Sequence, residues 1–207
     1  MNLILDYLAD MLVTLTAAIP LYALIRFALF KLNKKRAGMP QELLLAVFVI
    51  YLVWLASETV FPELVFEIRD VGGQKTLRLF EPFMSAAERL RTNTAINFIP
   101  LRTMKRYIHF KNIGRSMVNL VGNVVIFIPL GMLIPLLWKK MRSFFKVSAV
   151  GLACTCCIEF IQLFIGRSVD IDDIILNLTG AMAGYAIALL CMKYRPALRR
   201  KYVLSQI

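Results

Sequence analysis

Between two apolar runs, residues 157–185 carry Glu159, Gln162, Arg167, Asp170, Asp172, Asp173 and Asn177. These residue types permit three kinds of chemistry. A carboxyl such as Glu159, removed from water, can be tuned to act as a general acid or base. Asp170, Asp172 and Asp173 offer oxygen atoms of the sort that hold Mg²⁺ or Ca²⁺. Arg167, with Arg102 and Arg115 nearer the middle of the chain, can donate to phosphate. The plain structural alternative is an interhelical hydrogen-bond network with helix caps, Asp170 or Asp172 being well placed as an N-cap. The four cysteines match no zinc spacing and behave as small apolar residues, and His109, the single histidine, rules out a multi-histidine metal site.

The elements that position these groups follow from composition. Of 207 residues, 59% are hydrophobic and 18% charged. A helix needs about 20 mostly apolar residues to cross a hydrocarbon core. Stretches at about 8–30, 43–61, 117–138, 144–165 and 174–193 qualify, which predicts five transmembrane helices in one domain covering 1–207. The first stretch begins with Asp6 and Asp10 rather than a basic region, so it is read as a span and not a cleaved signal peptide.

The formal net charge of +12 is concentrated in three links. Lys31, Lys34, Lys35 and Arg36 form one, Lys139, Lys140, Arg142 and Lys146 the second, and Lys193, Arg195, Arg199, Arg200 and Lys201 the third. Alternation of five spans puts all three on one side, which the positive-inside rule makes the cytoplasm. The N-terminus, the loop at about 62–116 and the GRSVDIDD loop then face outward, with the C-terminus inside. Charge placed this way is a topology signal and argues against nucleic acid as a partner. Arg102, Lys105, Arg106, Lys111 and Arg115 sit on the predicted outside and resist the rule, although long loops cross largely regardless of charge.

The outer loop has its own patterning. Alternation around Gly72-Gly73 predicts a β-hairpin, and Glu81-Pro82 suits a helix start. The segment NFIPLRTMKRYIHFKNIGR mixes aromatics with cations, as expected of a surface cover or a basic lid facing lipid head groups.

Depth brings the polar residues together. With span four ending near 165, Glu159 lies ~9 Å beneath the outer surface at 1.5 Å per residue. Asn123, with Asn119 just above it, and Asn177 fall in the same layer on their own helices. Arg115, Asn119 and Asn123 share one face, as do Thr155, Glu159 and Gln162, and as do Asp173, Asn177, Gly180 and Gly184. An intramembrane acid is costly facing lipid, so Glu159 is expected to face protein or water, either neutralised or paired with Arg102, Arg115 or Arg167. Gly180 and Gly184 form a GxxxG pair that permits close helix approach.

Three blocks, NFIPLRTMKRYI, NLVGNVVIFIPLGMLIP and EFIQLFIGRSVDIDDIILNLTGAMAGY, together resemble the VanZ family of bacterial membrane proteins. The resemblance spans about 97–185 and rests on Asn97, Pro100, Asn119, Asn123, Pro129, Gly131, Glu159, Gln162, Arg167, Asp170, Asp173, Asn177 and Gly180. Leu101 departs from the family's usual Phe, and the first two spans and the hairpin carry no such signature. The resemblance implies a multi-pass protein of the bacterial plasma membrane that contributes to resistance to teicoplanin and other lipid-tailed glycopeptides. It implies no mechanism.

Three activities fit the residues. The first is binding or shielding at an outward polar pocket, with membrane lipids, a lipid-linked cell-wall precursor or the lipoglycopeptide as partner. That pocket would comprise Asn97, Arg102, Arg115, Asn119, Asn123, Glu159, Gln162, Arg167, Asp170, Asp172, Asp173 and Asn177. The second is an enzyme on a lipid-linked envelope substrate, with Glu159 as acid or base. The third is a head-group transporter, which the lack of a visible inverted repeat disfavours. No nucleophile, complete metal set or phosphate loop is visible, so no cofactor is expected and the balance favours binding.

Overall fold

A computed structural model of the protein describes residues 16, 18–28, 31, 38–60, 67–71, 74–78, 85–93, 95–109 and 113–198; at 67–71, 74–78, 107–109 and 113–119 only the backbone is described. Four helices are long and apolar enough to cross a membrane: α2 (Met39–Thr59), α5 (Ile113–Leu137), α6 (Phe144–Phe164) and α7 (Ile171–Tyr194). Their ends lie within a few residues of the hydropathy boundaries. The expected first span is described only as the short apolar helix α1 (Ala18–Ala28), and the remainder of 8–30 lies almost wholly outside the described residues. Tyr22 of α1 donates to Glu42 Oε2 at 2.7 Å, and Arg26 pairs with the same carboxylate at 2.6 Å, which ties α1 to the start of α2.

Sequence chemistry sets these boundaries. Asp170 is the N-cap of α7, its carboxylate accepting from the Asp172 amide at 2.9 Å. At the other end of the preceding link, α6 stops at a turn where Gly166 takes φ 82°, a left-handed conformation that glycine adopts without a Cβ penalty. Within α5, Pro129 and Pro135 remove two backbone donors. Neighbouring side chains reach the loosened stretches: Tyr51 donates to the Ile126 carbonyl at 2.9 Å, and Arg142 Nε to that of Pro135 at 2.9 Å.

Packing centres on α5 and α7. A Cβ on Gly131, Gly180 or Gly184 would lie 1.8, 2.1 and 2.0 Å from a carbonyl oxygen of the opposite helix. The two backbones therefore touch, as small residues allow where lipid provides no hydrophobic drive. Around this seam a core forms from Leu45, Phe48 and Leu55 of α2, Phe127, Leu130, Ile134 and Leu137 of α5, and Val147 and Ile158 of α6. Large apolar side chains such as Leu43, Phe145, Phe160 and Leu190 point away from it, as required of helices solvated by hydrocarbon.

The long connection between α2 and α5 carries shorter elements. Strands β1 (Glu67–Val71) and β2 (Gln74–Arg78) pair antiparallel, with Val71 opposite Gln74. The Gly72-Gly73 turn on which the hairpin expectation rests lies outside the described residues. Helix α3 (Ala86–Thr92) is capped by Ser85, and the helix start expected at Glu81-Pro82 lies outside the described residues. Then come β3 (Ile96–Asn97) and α4 (Arg102–His109). Strand β3 pairs in parallel with β4 (Val169–Asp170), joining the long connection to the α6–α7 link.

Candidate functional site

The C-terminal end of α2, the N-terminal half of α5, the C-terminal end of α6 and the N-terminal end of α7 meet at one end of the bundle. The described basic residues at 139–146 and 193–195 fall at the other end. At the meeting point lies a cleft of about 740 Å³ whose wall includes Asn123, Glu159, Gln162, Arg167, Asp172, Asp173 and Asn177. The matched depths on α5, α6 and α7 thus correspond to one site.

Each buried polar side chain of the cleft makes at least one hydrogen bond. Glu159, 5% exposed, accepts the Asp170 amide at 2.9 Å through Oε2. Asp173 accepts from Asn123 Nδ2 at 2.6 Å. Asn177 donates to Thr155 Oγ1 at 3.0 Å, and Gln162 Nε2 donates to the Thr59 carbonyl at 2.9 Å, drawing α2 into the network. The Gln162 Oε1 and Asn177 Oδ1 acceptors are buried without a donor.

The three aspartates do not converge on a cation position. Asp172, fully buried, turns to α4 and caps its N-terminus: Oδ1 accepts the Leu101 amide, and Oδ2 accepts those of Thr103 at 2.8 Å and Met104 at 3.2 Å. Asp170 accepts from Asn97 Nδ2 at 2.8 Å and from the Thr103 hydroxyl at 2.5 Å, besides capping its own helix. Asp173 alone of the three faces α5. Among the described residues, no three His, Cys, Asp or Glu side chains are grouped to hold a metal ion. The oxygen-rich loop is a docking joint for α4.

Asn97 belongs to the same joint. Its Oδ1 accepts the Ile99 amide at 3.1 Å, closing a turn that lets Leu101 take φ 64°. Arg102 is exposed on α4 and does not line the cleft. Arg115 and Asn119 lie on α5, but their side chains fall outside the described residues. Of the two expected arginines whose side chains are described, Arg167 borders the cleft and Arg102 does not.

Sequence reasoning passed over several contributors. Trp54, Glu58 and Thr59 close the cleft from α2, and Thr103 and Ser168 complete its rim. The other omission is Arg89, 2% exposed on α3. Its Nη1 donates to the carbonyls of Gln162 at 3.1 Å and Leu163 at 2.7 Å, and its Nη2 to that of Arg167. A guanidinium placed there satisfies the open carbonyls of α6 and complements the negative end of its dipole. The signal was weak: one arginine among several in an amphipathic segment.

The VanZ/LLP1 family model matches residues 43–192. The chain belongs to the VanZ/LLP1 family. The match is wider than the expected 97–185, taking in α2 and the connection before α3, so Trp54, Glu58 and Thr59 lie inside the VanZ/LLP1 region. No curated relative and no solved structure matches the chain. With four membrane-length helices and this family, it is a multi-pass membrane protein.

Proposed function

We propose that this protein binds the polar head of a membrane-anchored ligand in its cleft, without chemical turnover, at the outer leaflet of the bacterial plasma membrane. The observation that carries the reading is the cleft itself: about 740 Å³, walled by polar side chains of four helices, at the end of the bundle opposite the basic residues at 139–146 and 193–195. Five spans, with the N-terminus outside and the C-terminus inside, put that end outward under the positive-inside rule. In that orientation α4 presents exposed Arg102, Lys105 and Arg106 at head-group level.

Membership of the VanZ family supports the finer reading that the ligand is a lipid-tailed glycopeptide such as teicoplanin or the lipid-linked cell-wall precursor it meets. Both carry a tail for the hydrocarbon and a polar part for the cleft. The polar groups here are engaged in amide and hydroxyl contacts, and the Thr103 hydroxyl that meets the Asp170 carboxylate belongs to the joint that docks α4, which favours binding over catalysis. The test is to incubate the purified protein with lipid-linked precursor in nanodiscs, then measure binding and the mass of the recovered precursor. The reading expects retention with unaltered mass. A new mass that disappears in Glu159→Gln would replace it with an enzyme.

A further inference from the structure

The cations of α4 are not explained by topology. Arg102, Lys105 and Arg106 are exposed and, at i, i+3 and i+4, share one face of the helix. The basic residues at 139–146 and 193–195 lie at the opposite end of the bundle. The positive-inside rule accounts for one set or the other, not for both. Residues 89–158 contain no Asp or Glu. Asp170 and Asp172, which reach α4 from the start of α7, are engaged by Asn97, the Thr103 hydroxyl and the amides of Leu101, Thr103 and Met104. The basic face calls for an anionic partner at its own end of the bundle.

The turn leading into α4 shows what kind of partner. Phe98, Ile99 and Leu101 are 64%, 58% and 45% exposed, three large apolar side chains within four positions. The turn is fixed at both ends. Asn97 is paired with Asp170 in the two-stranded ladder and accepts the Ile99 amide at 3.1 Å, while Asp172 holds the first amides of α4. Asp172 lies in the first turn of α7, a helix of membrane-spanning length. The turn and the start of α4 are therefore level with the end of a span, where hydrocarbon gives way to head groups. Apolar side chains beside a basic face at that level have the make-up of an interfacial element.

We infer that residues 98–106 form a docking surface for an anionic phospholipid of the surrounding bilayer. Phe98, Ile99 and Leu101 enter among the acyl chains, and Arg102, Lys105 and Arg106 hold the head-group phosphate. A phosphodiester offers charged acceptors to which guanidinium and ammonium groups donate. A zwitterionic head group carries its own cation beside the phosphate, so a lipid of net negative charge is preferred. The inference concerns the bilayer and not the occupant of the cleft, and it holds whichever side of the membrane the cleft faces.

The experiment uses the full chain in phosphatidylcholine nanodiscs. Phe98→Trp is introduced, and its emission is read against the unsubstituted chain so that Trp54 and Trp138 are subtracted. Increasing fractions of the lipid are replaced by phosphatidylglycerol or phosphatidylcholine brominated on the acyl chains, which quench a tryptophan they touch. Both should quench the added tryptophan. The brominated phosphatidylglycerol should reach half its full effect at a mole fraction at least about fivefold lower, the preference that one such cation near a charged surface confers. Combined Arg102→Gln, Lys105→Gln and Arg106→Gln should abolish the difference while quenching persists. Salt at about 1 M, where screening acts within ~3 Å, should shrink it in the unneutralised chain. Phe160→Trp, on the lipid-facing side of α6, should show little preference. Equal mole fractions for the two lipids at position 98, or a difference that survives both neutralisation and salt, would overturn the inference. So would absence of quenching by either lipid, which would put the turn outside the bilayer.

Discussion

Gly184→Ala in α7 tests the backbone contact on which the cleft depends. The added Cβ would lie 2.0 Å from the Ile128 carbonyl oxygen, and ordinary contact begins at 3.4 Å, so α5 and α7 must part locally by the difference, about 1.4 Å. The obstacle is backbone, so no rotamer change relieves it. Overpacking of this kind costs about 1–3 kcal/mol. Gly122→Ala in α5 is the control: nothing lies within 4 Å of its Cβ, and replacing a helical glycine gains up to about 1 kcal/mol. In maltoside, with unfolding followed by tryptophan emission, Gly184→Ala should melt roughly 2–12 °C lower than the parent, and Gly122→Ala at or slightly above it. Equal melting of the two variants would refute the close seam. Because Gly180 lies on the same face as Gly184 and one turn from Asn177, Gly180→Ala should also weaken ligand binding, which Gly122→Ala tests less directly because Gly122 borders the cleft.

Arg89→Ala should destabilise the fold by about 2–3 kcal/mol by leaving the carbonyls of Gln162, Leu163 and Arg167 without their donor, and Arg89→Lys, lacking the guanidinium fork, should restore little of it in the same melting assay. Asp172→Asn should loosen α4 by about 1–3 kcal/mol without moving α7, seen as faster proteolysis between 98 and 109, since the amides of Leu101, Thr103 and Met104 lose a charged acceptor. For orientation, single cysteines at 73 and 168 in a background lacking the native four should react with an impermeant thiol reagent on intact cells, and those at 35, 142 and 203 should not. The reverse pattern would put the cleft on the cytoplasmic side.

The parts of this architecture that were legible in the sequence are those carried by periodicity and depth. Hydropathy placed α2, α5, α6 and α7 because a span must be long and apolar, and helical rise then set Asn123, Glu159 and Asn177 at one level. Gly180 and Gly184 announced the seam. What stayed hidden depends on contacts between distant segments. Asp172 sits beside Asp170 and Asp173 in a run that looks like a cation loop, yet its partners are amides about 70 residues earlier. Arg89 has no periodic neighbour to distinguish it from Arg91. Trp54, Glu58 and Thr59 sit inside the span expected at about 43–61, and nothing in their spacing marks them, because α2 has no polar stripe and meets the cleft with its last two turns. Arg102 lies outside the cleft wall for a similar reason: counting arginines near the site says nothing of which way α4 presents them.

The central claim is that the cleft acts where a ligand is held by its tail, and one comparison addresses it directly. In a susceptible bacterium expressing the protein, the minimal inhibitory concentration is measured for teicoplanin and for the same glycopeptide with its acyl chain removed, in the parent and in Glu159→Gln that accumulates normally. The account predicts protection against the acylated drug, little against the deacylated one, and loss of that difference in the variant. Equal protection against both drugs, or full protection by Glu159→Gln, would contradict it.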